Sequence, residues 1–180
     1  MDLSSIEGPF SLEEIRKATF DLWADKALSP DGFPIFFFQK FWDVVKYDLA
    51  KLSEDLYVGK GNLEWINWAS IVLILKMETP DSPSNFRLVN LINSFLKIVS
   101  KILVARLSKI IDSLVDVSQF AFIKGRCILD NIAMAKELIF SLQKCRLPGN
   151  VFKVDFPKAF DMIDWDFLLE MFTACGFGMR

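Results

Sequence analysis

The sequence predicts a mixed α/β fold with one sheet, and two observations support this class. Two short apolar segments rich in β-branched residues, 68–76 and 151–156, have the composition of strands. The longer segments around them repeat apolar residues every three or four positions, which is typical of helices. With 180 residues and 52% apolar side chains, the chain is long and apolar enough to bury a core.

The N-terminal third is predicted to be helical. Ser11 is a good N-cap, and Glu14 three residues later completes a capping box, which predicts a helix over 10–22. The sequence SPDGFP then predicts a turn, because proline and Asp-Gly favour turn conformations. The apolar spacing over 36–58 predicts a second helix, and Gly59 is expected to end it.

The rest of the chain alternates strands and helices. Segment 68–76 is expected to be a buried strand, and 87–115 a long helix with an apolar face that includes Phe95, Ile98 and Ile102. The later elements are predicted as a glycine-containing loop at 118–128, a helix at 129–145, a turn at 147–150, a strand at 151–156 and a helix stopped by Gly176.

Composition excludes several kinds of chemistry. The chain has no histidine, so no Ser-His-Asp or Cys-His catalysis is possible. Its three cysteines lie too far apart in sequence for a zinc site or a secreted disulfide framework, which favours a reduced intracellular setting. The apolar runs are too short for a membrane span, and the acidic N-terminus does not resemble a signal peptide.

Charge is strongly segregated, although the whole chain carries only −2. Residues 82–154 hold 4 acidic and 11 basic side chains, and no acid occurs between Asp81 and Asp112. Such a segment favours binding of nucleic acid or another polyanion. The alternative interpretation is a solvated basic face on a long helix.

Two stretches could carry chemistry. Asp155 lies near the C-terminal end of the strand in KVDFPKAFD, where a carboxylate could bind Mg²⁺, and Phe160 five residues later could close the space beside a sugar. The alternative is that Asp155 or Asp161 caps the next helix, a role that Asp161, Asp164 and Asp166 fit better than Asp155. In FIKGRCILDN, a glycine between Lys124 and Arg126 would let the backbone approach a phosphate.

Four ordered motifs resemble the reverse transcriptase of non-LTR retrotransposons, most closely the LINE-type elements of plant genomes. They are SPDGFPIFFFQKFWDVVKYDL, FRLVNLINSFLKIVSKILVARL, SQFAFIKGRCILDNI and FKVDFPKAFDMIDWDFL, and they cover nearly the whole chain. The resemblance implies a right-hand polymerase, comprising the fingers and the beginning of the palm. Residues 1–69 would be the helical N-terminal part of the fingers, 70–148 the fingers core and 149–180 the start of the palm.

The resemblance also implies functions for individual residues. Asp155 would bind catalytic Mg²⁺, and Phe160 would screen the sugar 2′-hydroxyl of an incoming dNTP. The expected partners are an RNA template and a DNA primer. The cations expected near the template or triphosphate are Arg87, Lys124 and Arg126, and those expected at backbone phosphates are Lys97, Lys101 and Arg106.

The sequence also departs from the family pattern. It has no Asp-Asp pair, whereas the family's palm takes two more metal ligands from such a pair. We therefore expect a truncated copy that is inactive alone and self-associates through the uncovered sheet edge beside 151–156. Leu28, Leu75 and Leu88 stand where proline is usual, and Ser29 where glycine is usual. The alternatives are a non-catalytic RNA-binding module and a functionless product of a degenerate element.

Overall fold

The structure is a computed structural model that describes residues 3–25, 28–60, 64–150, 152, 154 and 162–178. Contacts divide the chain into two compact units, Gly8–Arg106 and Met1–Glu7 together with Leu107–Arg180. The described elements are α1 (Ser4–Glu7), α2 (Leu12–Asp21), α3 (Ile35–Lys40), α4 (Trp42–Val58), β1 (Ser70–Leu75), β2 (Phe86–Leu91), α5 (Ser94–Leu107), α6 (Ile111–Leu114), α7 (Ile128–Lys144) and α8 (Trp165–Ala174). This mixture of helices and a small sheet agrees with the predicted α/β class.

Helix α2 begins where the sequence predicts. The Ser11 hydroxyl accepts a hydrogen bond from the Glu14 backbone N–H at 3.2 Å, and the Glu14 carboxylate accepts from the Ser11 N–H at 3.0 Å. These reciprocal bonds satisfy two backbone donors that the helix itself leaves without partners. The predicted capping box is therefore confirmed.

The predicted turn after α2 also holds the start of α5. Gly32 has φ +76°, a left-handed conformation that glycine adopts without steric cost. The Asp31 carboxylate accepts from the backbone N–H groups of Phe33 and Ser94, both at 3.0 Å. The Ser94 hydroxyl donates to the Phe33 carbonyl at 2.7 Å, so the turn anchors the first residue of α5.

The single helix predicted over 36–58 is divided into α3 and α4. Phe41 separates them with φ −103° and ψ 26°, outside the regular helical range. Its backbone N–H still donates to the Phe37 carbonyl, so the break is a local change of direction. The predicted end is confirmed, because Gly59 caps α4 with φ +71°.

The hydrophobic core of the Gly8–Arg106 unit is formed by the helices. Ile98 lies at its centre with no exposed surface. The buried apolar side chains are Ile15, Ala18, Ile35, Trp42, Leu49, Phe95, Ile98, Val99 and Ile102. The apolar face predicted for the long helix over 87–115 therefore packs into the core at Phe95, Ile98 and Ile102.

The sheet of this unit is a hairpin, which corrects two expectations. β1 and β2 pair antiparallel, with Ser70 opposite Leu91 and Leu75 opposite Phe86. Residues 87–91 are therefore strand, because the backbone of β1 needs a partner and the segment after the turn supplies it. The expectation of a buried strand is also wrong, since five of the six residues of β1 are exposed in a two-stranded sheet.

The second unit holds α7 and α8 within its described part, and no residue of either helix is buried. Helix α8 begins at Asp164, whose carboxylate accepts from the Phe167 N–H at 3.0 Å, as the helix-cap alternative predicts. Gly176 follows this helix with φ +91°. The predicted strand at 151–156 lies outside the described residues except for two positions. No helix in the described part of the chain could span a membrane.

Candidate nucleic-acid interface

The two residues expected at the catalytic centre, Asp155 and Phe160, lie outside the described residues. In the part of the chain that is described, no three histidine, cysteine or acidic side chains come together as a possible metal site.

Two basic residues belong to the hairpin. Arg87 is exposed on β2, directly opposite Ile74 of β1. Lys76 continues the strand pairing, because its backbone N–H donates to the Asn85 carbonyl at 2.9 Å. Opposite residues share a face and side chains alternate along a strand, so continued alternation would place Lys76 on the face of Arg87. The Lys76 ammonium, however, donates to the Ser84 carbonyl at 2.7 Å and is therefore bound to a protein acceptor. Lys76 was not predicted from the sequence. Its only signal was its position two residues after Ile74, the residue that lies opposite Arg87.

The loop before α7 presents a free cation beside an aromatic ring. Lys124 is exposed and forms no ion pair with a described residue. Gly125, with φ +87°, gives the turn a conformation that other residues rarely adopt. Phe122 has φ +65° and a fully exposed ring, at 107% of the reference area. A strained backbone that holds an apolar ring in water is a feature of functional loops.

Arg126, in contrast, points its guanidinium into its own loop. Its side chain is only 14% exposed. It donates to the backbone carbonyls of Asp116 at 2.6 Å and Gln119 at 2.7 Å. It also forms an ion pair with the Asp112 carboxylate at 2.8 Å. The Arg126 guanidinium is therefore bound to acceptors within the protein.

Asp116 also stabilises this loop, through its carboxylate. Its carboxylate accepts from the Ser118 hydroxyl at 2.6 Å and from the Ser118 backbone N–H at 2.8 Å. These two bonds lower the pKa of Asp116 below its ordinary value of 3.8, and the bond from the hydroxyl has the larger effect. Asp116 thus keeps its charge at neutral pH while it holds the turn.

The two lysines of α5 are half-buried. The Lys97 ammonium donates to the Ser29 hydroxyl at 2.8 Å, and Ser29 also contacts the Ser94 hydroxyl at 2.9 Å. Ser29 is buried at 5% exposure, so these hydrogen bonds satisfy a polar group inside the fold. Lys101 lies one turn further along the same helix.

Arg106 is the most buried cation of the described chain, with a side chain only 6% exposed. Its guanidinium binds the Glu14 carboxylate through two hydrogen bonds of 2.8 Å, the bidentate geometry that strengthens an arginine–carboxylate pair. It also donates to the carbonyls of Gly8 and Pro9 and lies 4.8 Å from the centre of the Phe10 ring. Arg106 thus ties the beginning of this unit to its last helix.

This contact predicts a loss of stability in acid. The Arg106 hydrogen bond is the main cause that lowers the pKa of Glu14 from 4.5 to about 2. A lowered carboxyl pKa stabilises the fold above the ordinary value, and the contribution is lost as pH falls from 4.5 towards 2. The urea midpoint should therefore fall over this range. Glu14→Gln should lower the midpoint at neutral pH and flatten the decline in acid; an equally steep decline in the variant would contradict this.

An exposed cationic hairpin and a loop that pairs a lysine with an aromatic ring are surfaces typical of nucleic-acid-binding proteins. The family model described as reverse transcriptase (RNA-dependent DNA polymerase) matches residues 74–180. Because this match covers more than half of the chain, the chain belongs to the reverse transcriptase family.

A curated relative extends this similarity to the N-terminal third. The chain is 29% identical over 175 residues to the transposon TX1 uncharacterized 149 kDa protein of Xenopus laevis. The alignment covers 96% of this chain but only 13% of the relative. The predicted reverse transcriptase family and the similarity to a transposon protein are therefore confirmed.

Proposed function

We propose that the chain forms the fingers and the start of the palm of a non-LTR retrotransposon polymerase that copies RNA into DNA. The observation that carries this proposal is the exposed loop of Phe122, Lys124 and Gly125, which falls within the residues matched by the family. The division at 1–69, 70–148 and 149–180 belongs to the same proposal, as does an origin in a plant LINE-type element.

The proposed contacts with nucleic acid are electrostatic and aromatic. Arg87 would face the template or the dNTP phosphates from the hairpin, since its side chain is exposed there. In the other unit, Lys124 would bind a backbone phosphate while the Phe122 ring stacks on a base. Lys97 and Lys101 would add contacts from α5. Arg106 and Arg126 are bound to protein acceptors, each within its own unit, and are not proposed as direct phosphate contacts.

For catalysis we propose Asp155 as a ligand of Mg²⁺ and Phe160 as the ring beside the sugar. In phosphoryl transfer, a divalent ion stabilises the attacking and leaving oxygens. Self-association through the edge beside 151–156 is a further part of the proposal, supported by exposed apolar side chains of the same unit such as Phe152, Val154 and Phe167.

An RNA-binding experiment tests the proposal. Lys124→Ala should weaken binding of a labelled single-stranded RNA and reduce the dependence of log K on log salt by about 0.7, the value for one phosphate contact on a single strand. The measurement is fluorescence anisotropy over a series of salt concentrations.

Lys51→Ala provides the matched control, because it removes the same charge from an exposed position on α4. It should leave the salt slope unchanged. An unchanged slope in the Lys124 variant would contradict the proposed phosphate contact. The alternative function is a non-catalytic RNA-binding module, which the exposed Phe122 ring also fits.

A further inference from the structure

The segment that runs from Asp112 in α6 through the loop to Arg126 is held together by one guanidinium. Arg126 reaches back across ten residues to the Asp116 carbonyl and across fourteen to the Asp112 carboxylate. A further bond joins it to the Gln119 carbonyl at 2.7 Å. Only arginine among the side chains offers five donors in a planar fork, so no other cation can serve these separate acceptors at once.

The same loop carries the exposed groups of the proposed interface. Lys124 and Gly125 directly precede Arg126, and the Arg126 backbone N–H donates to the Ile123 carbonyl at 3.2 Å. Phe122, two residues before Lys124, is fully exposed to solvent. Whatever fixes Arg126 therefore fixes the position of Lys124.

We infer that Arg126 and Asp112 are positioning residues that fold the loop so that Lys124 meets a nucleic-acid phosphate. This inference rests on the proposed function. Arg126 itself does not contact the phosphate, since its side chain is 14% exposed and bound to protein acceptors. Asp112, although acidic, then supports the binding of an anion.

The inference has a consequence opposite in sign to simple electrostatics. Removing a negative charge near a polyanion site ordinarily strengthens binding. Asp112→Asn should instead weaken binding of a labelled single-stranded RNA on the order of threefold, because it weakens a charge-assisted hydrogen bond of Arg126. The control Asp130→Asn makes the same charge change at an exposed position in the first turn of α7. It should leave binding unchanged or slightly tighter.

Arg126→Lys separates charge from geometry. The lysine keeps the charge but cannot bind all the acceptors, so RNA binding should weaken about as much as in Lys124→Ala. The double variant Lys124→Ala/Arg126→Lys should then be little weaker than Lys124→Ala alone, because both changes remove one contact. Parent-like binding by Arg126→Lys, or binding by Asp112→Asn at least as tight as by Asp130→Asn, would overturn the inference.

Hydrogen exchange separates this inference from the proposed function. Amide exchange over 116–126 should accelerate in Asp112→Asn and Arg126→Lys but not in Asp130→Asn. Unchanged exchange in the first two variants overturns the positioning role, whether or not RNA binds. If the parent chain binds no RNA, the proposed function fails and the presentation of Lys124 to a phosphate fails with it, even where exchange accelerates.

Discussion

Arg106→Ala should lower the free energy of unfolding of the Gly8–Arg106 unit by about 2 kcal/mol, a typical contribution of hydrogen bonds to charged groups, because Arg106 is buried while the Glu14 side chain is one-third exposed to water. The variant deprives the Glu14 carboxylate of two hydrogen bonds and the Gly8 and Pro9 carbonyls of their donor. It also removes the guanidinium that packs on the Phe10 ring. Urea unfolding followed by tryptophan fluorescence measures the effect.

Arg16→Ala is the matched control in the same unit. Arg16 is exposed, and its guanidinium lies 5.0 Å from the centre of the Phe20 ring. An exposed cation–π contact contributes about 0.5–1 kcal/mol, so this variant should lose much less stability. Equal losses in the two variants would mean that the Arg106 contacts do not stabilise the unit. Loss of RNA binding by Arg106→Ala without loss of stability would return Arg106 to the set of direct phosphate contacts.

The elements that depend on local sequence were predicted correctly. Ser11 and Glu14 are three residues apart, and their reciprocal bonds need only one turn of helix. Gly59 and Gly176 likewise follow helices with positive φ angles, as glycine permits. The second partner of Glu14, Arg106, is 92 residues away in the sequence, so no local pattern could reveal it.

The errors arise where tertiary pairing decides the structure. The apolar spacing of residues 87–91 continues that of Phe95 and Ile98 and therefore fits a helix. In the structure, however, this segment pairs with β1 as a strand. The composition of β1 predicts a strand correctly but says nothing about what covers it. Its exposure follows from the number of strands in the described sheet, which the sequence of one strand does not specify.

The same distinction between local sequence and tertiary contacts applies to the candidate interface. An acid-free stretch identifies the basic region, but charge counts treat Arg106, Arg126 and Lys124 alike. The structure separates them by their acceptors: the first two are bound to carboxylates and carbonyls, whereas the third is exposed. The sequence thus predicts a region for the proposed interface, and the structure shows which cations of that region are exposed.

The 180-residue chain should extend no DNA primer on an RNA template with dNTPs and Mg²⁺. Two-metal phosphoryl transfer needs several carboxylates that face one another across the metal ions, and these residues contain Asp155 but no Asp-Asp pair. A single carboxylate also binds Mg²⁺ weakly, because this ion dehydrates reluctantly and needs near-octahedral ligands. The measurement is incorporation of labelled nucleotide, with a reverse transcriptase of known activity as the positive control for the assay.

Two variants show whether any observed signal belongs to this chain. Asp155→Ala removes the proposed metal ligand. Asp164→Ala removes the carboxylate that caps α8 and should cost only about 1 kcal/mol of stability. If the parent extends a primer, and Asp155→Ala abolishes the activity while Asp164→Ala keeps it, Asp155 is catalytic and these residues suffice. If all three chains bind RNA with the same salt dependence and none extends a primer, RNA binding does not depend on Asp155. That outcome agrees with the proposed division between nucleic-acid binding by 70–148 and metal binding by 149–180.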